Sequence, residues 1–253
     1  MKQILLLLIS MLAMPVFCTE PIIIAHRGAS GYEPENTLRS FKRAIQMGAP
    51  IIELDVYVCK TGELVITHDD IIDIKTDGKQ TIGDVSYDVL KKFDVGKGEH
   101  IPLLSEVFDL VNKQAIINIE LKGPGTVRPV AQLITHYINK KKWPADRFII
   151  SSFDHYRLLE FKKYVPSIKT AVLFEGNPIG YSDLVKHAKA DYALMHYQWI
   201  TKEFVSEAHR KNIKVFAYTI NNKQKAEKLL LLGVDGIITD YPDLLFPSRK
   251  NLL

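Results

Sequence analysis

Four short stretches of this sequence set charged or polar side chains directly after apolar, β-branched runs. They are His26-Arg27 after Ile22 to Ala25, Glu53 and Asp55 within Ile51 to Val56, Glu120 and Lys122 after Ala115 to Ile119, and Ser151-Ser152-Phe153 after Phe148 to Ile150. A charge at the end of an apolar run is costly unless it is paired or binds something. Glu53 and Asp55 stand at i and i+2, so in a strand both carboxylates share one face and can converge on one ion. Glu120 ends another run and can supply a third ligand. Three carboxylates without a thiolate make a hard oxygen site, suited to Ca²⁺ or Mg²⁺ rather than Zn²⁺. The competing reading is structural, each carboxylate merely pairing with Arg27 or Lys122. Two histidines, His26 and His68, also fall at strand ends. Imidazole titrates near neutral pH, as an acid-base pair for cleaving a phosphodiester requires. Arg27 offers a planar, bidentate fork and Lys122 a point charge. Together with a divalent cation they would neutralise the extra charge of a pentacoordinate phosphorane, so the constellation reads as a phosphoryl site.

The elements that must position these groups follow from the alternation of short β-branched runs with longer amphipathic stretches, the mark of parallel βα units. Eight strands are predicted, at residues 22–25, 51–56, 115–119, 148–151, 170–174, 192–195, 215–219 and 236–239. Helical patterns between them cover 37–47, 104–111, 130–139, 156–164, 183–188, 202–211 and 223–232, with Gly48 and Gly233 placed as C-caps. A further β-like run, Glu63 to Thr67, follows residues 55–59 after only a Lys60-Thr61-Gly62 turn, so that pair must be antiparallel. The return brings His68 back to the level of the two carboxylates. Residues 56 to about 100 then form an insertion after the second strand, and its remainder, Ile71 to His100, is too small for an independent core. The prediction is one TIM-type (β/α)₈ barrel, whose strands present their C-terminal ends to the active site. The rival, an open doubly wound sheet, lacks a Gly-x-Gly-x-x-Gly turn after the first strand. In the first loop, Pro34-Glu35-Asn36-Thr37 reads as a helix start with Asn36 or Thr37 as N-cap, and Glu35 or Asn36 could orient His26 or a metal ligand.

Composition bounds the setting. The chain has 253 residues, 47% of them hydrophobic and 25% charged. Its mean hydropathy of -0.01 argues against a disordered, collagenous or coiled-coil protein. Residues 1–18 combine Lys2, an apolar run and a break at Pro15, the layout of a cleaved export signal, so a periplasmic or secreted location is expected. The run is short for a membrane anchor, and bulky Phe17 disfavours acylation at Cys18. Removing the signal leaves a domain over residues 19–253 with Cys59 as its single thiol, which excludes an internal disulfide and a thiolate cage. A net charge of +4 is mild, and Lys140 to Lys142 is too short for a nucleic-acid stripe. A small-molecule substrate is expected, with no nucleic acid and no stable membrane insertion. Charge and hydrophobicity point to no oligomeric interface.

The motifs His26-Arg27-Gly28, Pro34-Glu35-Asn36-Thr37, Glu53-Leu54-Asp55-Val56, Lys60-Thr61-Gly62, His68-Asp69, Ile101 to Leu104, Asn118 to Lys122, Ser151-Ser152-Phe153 and Gly233 to Asp240, in that order, resemble the glycerophosphodiester phosphodiesterases. The resemblance implies a phospholipase-C-like barrel with a small insertion after strand two. It implies hydrolysis of glycerophosphodiesters to glycerol 3-phosphate and an alcohol, with a divalent cation, by a route often described through a cyclic glycerophosphate. By resemblance, His26 and His68 would be acid and base, Glu53, Asp55 and Glu120 the metal ligands, and Arg27 and Lys122 the phosphate-holding groups. Phe153 would belong to the apolar wall beside the glycerol, and Tyr218 stands where many members carry tryptophan. The alternatives within this barrel are a lysophospholipase D acting on lysolipids and a non-catalytic exported protein that grips phosphodiesters or lipid.

Overall fold

The structure, a computed structural model, describes residues 21–74 and 78–245. The expected export signal lies outside the described residues. The chain runs β1 (Ile22–Ala25), α1 (Leu38–Gln46), β2 (Ile51–Val58), β3 (Leu64–Ile66), β4 (Ile71–Ile74), β5 (Gly78–Thr81), α2 (Tyr87–Leu90) and α3 (Leu104–Val111). It continues β6 (Ile116–Leu121), α4 (Val127–Asn139), β7 (Phe148–Ser152), α5 (His155–Tyr164), β8 (Lys169–Phe174), α6 (Tyr181–His187), β9 (Tyr192–His196), α7 (Lys202–Arg210), β10 (Lys214–Tyr218), α8 (Lys223–Leu231) and β11 (Gly236–Thr239).

Strands β1, β2 and β6 to β11 pair in parallel in spatial order β1-β11-β10-β9-β8-β7-β6-β2, and β1 pairs again with β2, so the sheet closes on itself. This is the (β/α)₈ barrel. Its strands read as nearly continuous apolar runs because both faces are covered: one packs on the helices, the other fills the lumen. Along β2, Ile52, Leu54 and Val56 join the layer between sheet and helices. The lumen is filled by a second cluster of Ile24, Ile51, Ile149, Ala171, Leu173, Leu194, Phe216 and Ile238. Each such side chain, fully buried, contributes about 1.5–3 kcal/mol of transfer free energy.

Local chemistry sets the boundaries. Thr37 caps α1: its Oγ1 accepts from the Ser40 amide at 3.2 Å, and Ser40 Oγ accepts from the Thr37 amide at 3.3 Å. Gly48, at φ +79°, ends that helix as anticipated. Asp154, Thr201 and Asn222 cap α5, α7 and α8 through their side chains. Two helices begin two or three residues earlier than the periodicity suggested. Helix α4 starts at Val127 with Pro129 inside its first turn, where an amide has no intrahelical partner to lose. Helix α6 starts at Tyr181 because Tyr181 and Ser182 are buried against the neighbouring unit. No helix among the described residues is long and apolar enough to cross a membrane.

The hairpin predicted at Lys60-Thr61-Gly62 is present: β3 pairs antiparallel with β2, Val56 opposite Ile66 and Val58 opposite Leu64. Between β3 and α3 lie a second hairpin, β4 with β5, and the short α2. The segment Ile71 to His100 has no independent core: it contributes Ile82, Val85 and Leu90 to a small cluster that Cys59 and Val65 of the β2–β3 hairpin and Ile101 complete.

Candidate active site

Register brings the acidic residues together. Glu53 lies beside Asn118 and Asp55 beside Glu120 on the paired strands β2 and β6. Ligand atoms of Glu53, Asp55 and Glu120 all fall within 4.8 Å of one another, and all three residues are buried. Burial, with the charges of Asp55 and Glu120, pushes the Glu53 carboxyl well above the ordinary carboxylate range. Burial and then Asp55 raise the Glu120 carboxyl to about 7, against the opposing pull of Lys122 and Arg27. Three buried carboxylates crowded together fit a hard divalent cation, so this triad could bind a metal ion.

The structural alternative, simple pairing with Arg27 and Lys122, is present only in part. Lys122 Nζ lies 3.4 Å from Glu120 and 3.9 Å from Asp55. Arg27 Nε stands 3.4 Å from Asp55. These contacts are long, and they leave Glu53 with the Arg27 backbone amide as its donor at 2.9 Å. Arg27 itself is clamped at the rim by both oxygens of Glu35, at 2.9 and 2.8 Å. Burial weakens its charge, but Asp55, Glu35 and Glu53 outweigh burial and strengthen its hold on the proton. Asn36, at φ +57°, donates from Nδ2 to Asp55 at 2.9 Å. Of the two first-loop candidates, Asn36 therefore orients a carboxylate of the triad and Glu35 orients the guanidinium; neither hydrogen-bonds His26. Gly28 makes this turn possible: it adopts φ +81°, and a Cβ there would sit 2.5 Å from Ser40 Oγ.

His26 and His68 face the same cavity of about 260 Å³ as Arg27, Glu53, Glu120 and Lys122. His26 Nδ1 donates to Asp240 at 2.6 Å, which leaves Nε2 to exchange a proton. Asp240 also accepts from Ser30 Oγ at 3.0 Å and from Asn221 Nδ2. Burial alone would raise the Asp240 carboxyl, but His26, Asn221 and Ser30 bring it below its usual value. His68 arrives on the returning hairpin, whose Thr67 amide bonds the Asp55 carbonyl at 3.2 Å, so it stands level with the carboxylates. Its Nδ1 donates to Asp69 at 2.8 Å.

The opposite wall is apolar and aromatic. Phe153 and Tyr218 meet edge to face at 6.3 Å, and His196 meets Tyr218 at 5.8 Å. The Tyr218 hydroxyl donates to the Phe174 carbonyl at 2.7 Å, and burial with the charges of Glu175 and Glu120 pushes its pKa upward. All nine sequence-derived site residues thus converge at one end of the barrel: eight line the cavity, and Asp55 lies buried within the carboxylate triad. The sequence reading left Asp240 and Asn221 without a role. The rule applied to the other strands, a polar residue directly after the apolar run, would have found Asp240 after Thr239. His155 and His209 find structural partners instead, the Leu173 carbonyl at 3.2 Å and Asp235 at 2.9 Å.

Comparison with known proteins agrees with this geometry. The sequence pattern of the Glycerophosphoryl diester phosphodiesterase family matches residues 26–244. The chain is 37% identical to a glycerophosphodiester phosphodiesterase of Caldanaerobacter subterraneus over 237 residues, 88% of this chain and 96% of that protein. It is 25% identical over 271 residues to a human lysophospholipase D, covering 90% of this chain and 86% of that one. An Oleispira antarctica phosphodiesterase, solved in complex with the product sn-glycerol-3-phosphate, superposes with TM-score 0.78 and 32% identity over 88% of this chain and 94% of that one. The barrel, the buried carboxylate triad and the extent of these matches lead to one conclusion: the chain belongs to the glycerophosphoryl diester phosphodiesterase family.

Proposed function

We propose that the protein is a metal-dependent glycerophosphodiester phosphodiesterase, releasing sn-glycerol 3-phosphate and an alcohol with His26 and His68 as its acid-base pair. One observation carries the reading: two imidazoles, each held by a carboxylate at Nδ1, face one cavity with the Glu53, Asp55 and Glu120 triad. A divalent cation held by those three carboxylates would supply Lewis-acid stabilisation of the charge that builds on phosphorus. Arg27 and Lys122 bind the phosphate and take up part of that charge. One histidine removes the proton from the attacking oxygen, the glycerol 2-hydroxyl or a water. As the new O–P bond forms and the ester bond to the alcohol breaks, the other histidine protonates the departing oxygen. Attack by water gives sn-glycerol 3-phosphate directly; attack by the 2-hydroxyl gives a cyclic phosphate, which a water then opens by breaking the bond from phosphorus to the 2-oxygen, the two histidines exchanging roles. Phe153 and Tyr218 exclude water beside the glycerol and leave the electrostatic terms less screened.

The alternatives gain less support. Loss of a histidine or a carboxylate would favour a binding protein, and both histidines and all three carboxylates are in place. The lysophospholipase D relative is more distant than the glycerophosphodiesterase relative, at 25% against 37% identity. The test is incubation with glycerophosphocholine and, in parallel, lysophosphatidylcholine, with Ca²⁺, with Mg²⁺ and after exhaustive chelation. Release of sn-glycerol 3-phosphate that requires the cation supports the reading. Undiminished turnover without metal, release of phosphocholine, or preference for the lysolipid overturns it. We propose further that the first eighteen residues are removed on export; the N-terminal sequence of protein recovered outside the cytoplasm tests this, and an intact Met1 there refutes it.

A further inference from the structure

Two buried side chains lining the catalytic cavity have no hydrogen-bond partner among the described residues. Both the Nδ2 and Oδ1 of Asn118 and the Oγ of Ser151 are unpaired, although Asn118 is only 2% exposed and Ser151 is fully buried. Buried polar groups in folded proteins are almost always satisfied, so such groups at a cavity wall point to a ligand that completes them. Their placement is specific. Asn118 lies two residues below Glu120 on β6, between Glu53 on one side and Ile149 on the other. Ser151 lies between Glu120 and Ala171. Both stand where the charged wall meets the apolar wall, and Asn118 also forms part of the partition to a second, mostly apolar cavity of about 100 Å³ further down the lumen.

We propose that Asn118 and Ser151 form the part of the site that reads the hydroxyl groups of the substrate's polyol. A hydroxyl both donates and accepts, and Asn118 and Ser151 each offer both functions. A phosphate held by Arg27 and Lys122 on the charged wall, with its carbon skeleton against Phe153 and Tyr218, passes over the seam that these two residues occupy. An unpaired polar floor discriminates strongly, because a substrate lacking the hydroxyl leaves the buried groups unsatisfied. This assignment rests on the proposed phosphodiesterase reading and adds to it the feature of the substrate that is recognised.

The experiment compares sn-glycerol 3-phosphate with n-propyl phosphate, which keeps the phosphate and the three-carbon chain but lacks both hydroxyls. Binding is read by titration with Mg²⁺ or Ca²⁺ present, because the 2-hydroxyl can itself be the nucleophile and would confuse turnover. The wild-type chain is expected to prefer sn-glycerol 3-phosphate by about tenfold or more. Asn118→Leu and Ser151→Ala should each reduce that preference several-fold. Neither should lower Tm, since no protein hydrogen bond is lost; a merely structural role would lower Tm and weaken both ligands alike. Equal affinity of the wild type for the two phosphates, needing no variant at all, overturns the proposal, as does equal weakening of both ligands in the variants. A wild type that prefers sn-glycerol 3-phosphate yet cleaves no glycerophosphodiester refutes the catalytic reading and leaves the hydroxyl assignment standing.

Discussion

The cavity at the C-terminal end of the barrel is bounded by two unlike walls. Strands β1, β2 and β6, with the returning hairpin, contribute His26, Arg27, Glu53, Glu120, Lys122 and His68, whereas β7 to β11 contribute chiefly Phe153, Leu173, Leu194, Tyr218 and Ile238. The strand positions in the two walls are equivalent, so the backbone does not account for the difference. On the first wall every charge is paired with or near an opposite charge, and three carboxylates crowd within 4.8 Å. On the second, the polar tip of Tyr218 is turned to the Phe174 backbone carbonyl. An apolar wall facing a charged one lowers the local dielectric, which would strengthen the interactions of the first wall with a phosphate under the proposed function. Under the proposed function, chemistry falls to one side and shape to the other.

That division has measurable consequences. The largest concerns the imidazoles: His26→Ala and His68→Ala should each lower kcat by about 10³-fold with little change in Tm, because proton transfer is lost and packing is not. Near-normal turnover in either variant, measured by sn-glycerol 3-phosphate release, removes that residue from the mechanism.

Next comes the pH dependence of the metal-free charged wall. Glu120 rises from 4.5 to about 7 on folding, so the folded chain holds this proton more tightly than the unfolded chain does. Stability from this group is therefore complete below pH 4.5 and is lost as pH rises to about 7, a change on the order of 3 kcal/mol. Denaturant midpoints of the chelated protein should fall across that window, and added Ca²⁺ or Mg²⁺ should abolish the fall. A flat profile without metal would show that Arg27 and Lys122 suffice to hold the triad.

Smaller effects separate the two histidine supports. Asp240 is half-buried in a network with Ser30 and Asn221, while the Asp69 side chain is 76% exposed. Asp240→Asn should lower kcat by about 10- to 100-fold at constant KM, and Asp69→Asn by several-fold less, since water screens and replaces the exposed carboxylate. Equal losses would show that exposure does not rank them. The smallest effect belongs to the apolar wall. Phe153 is 45% exposed, and Phe153→Ala should raise KM about three- to tenfold with kcat nearly unchanged. A fall in kcat of the size seen for the histidines would break the division between the walls.

Much of this was legible along the chain. The eight barrel strands are where β-branched runs predicted them, because strands buried on both faces must be apolar throughout. The antiparallel return of β3 followed from a connection too short for a crossover. Glu53 and Asp55 could be placed on one face from their spacing alone. Partners separated by long stretches were not legible. His26 and Asp240 are 214 residues apart and meet because β1 pairs with β11. Asn36 reaches Asp55 because a left-handed turn aims it there, and His209 of α7 finds Asp235 in the turn before β11. The small cluster to which the insertion contributes was also hidden, since it is completed by residues of the hairpin that carries it.

The sequence by itself determined the residue types of the site, their order along the barrel and the kind of chemistry that carboxylates, imidazoles and a guanidinium can perform, because these depend on local spacing and on functional groups. Tertiary structure alone decided which carboxylate supports which imidazole, that burial raises the proton affinity of Glu53 and Glu120, and that Asn118 and Ser151 face the cavity unpaired. Those properties come from strand register and barrel closure, which set distances between residues that the chain keeps far apart, and from the exclusion of water that closure brings.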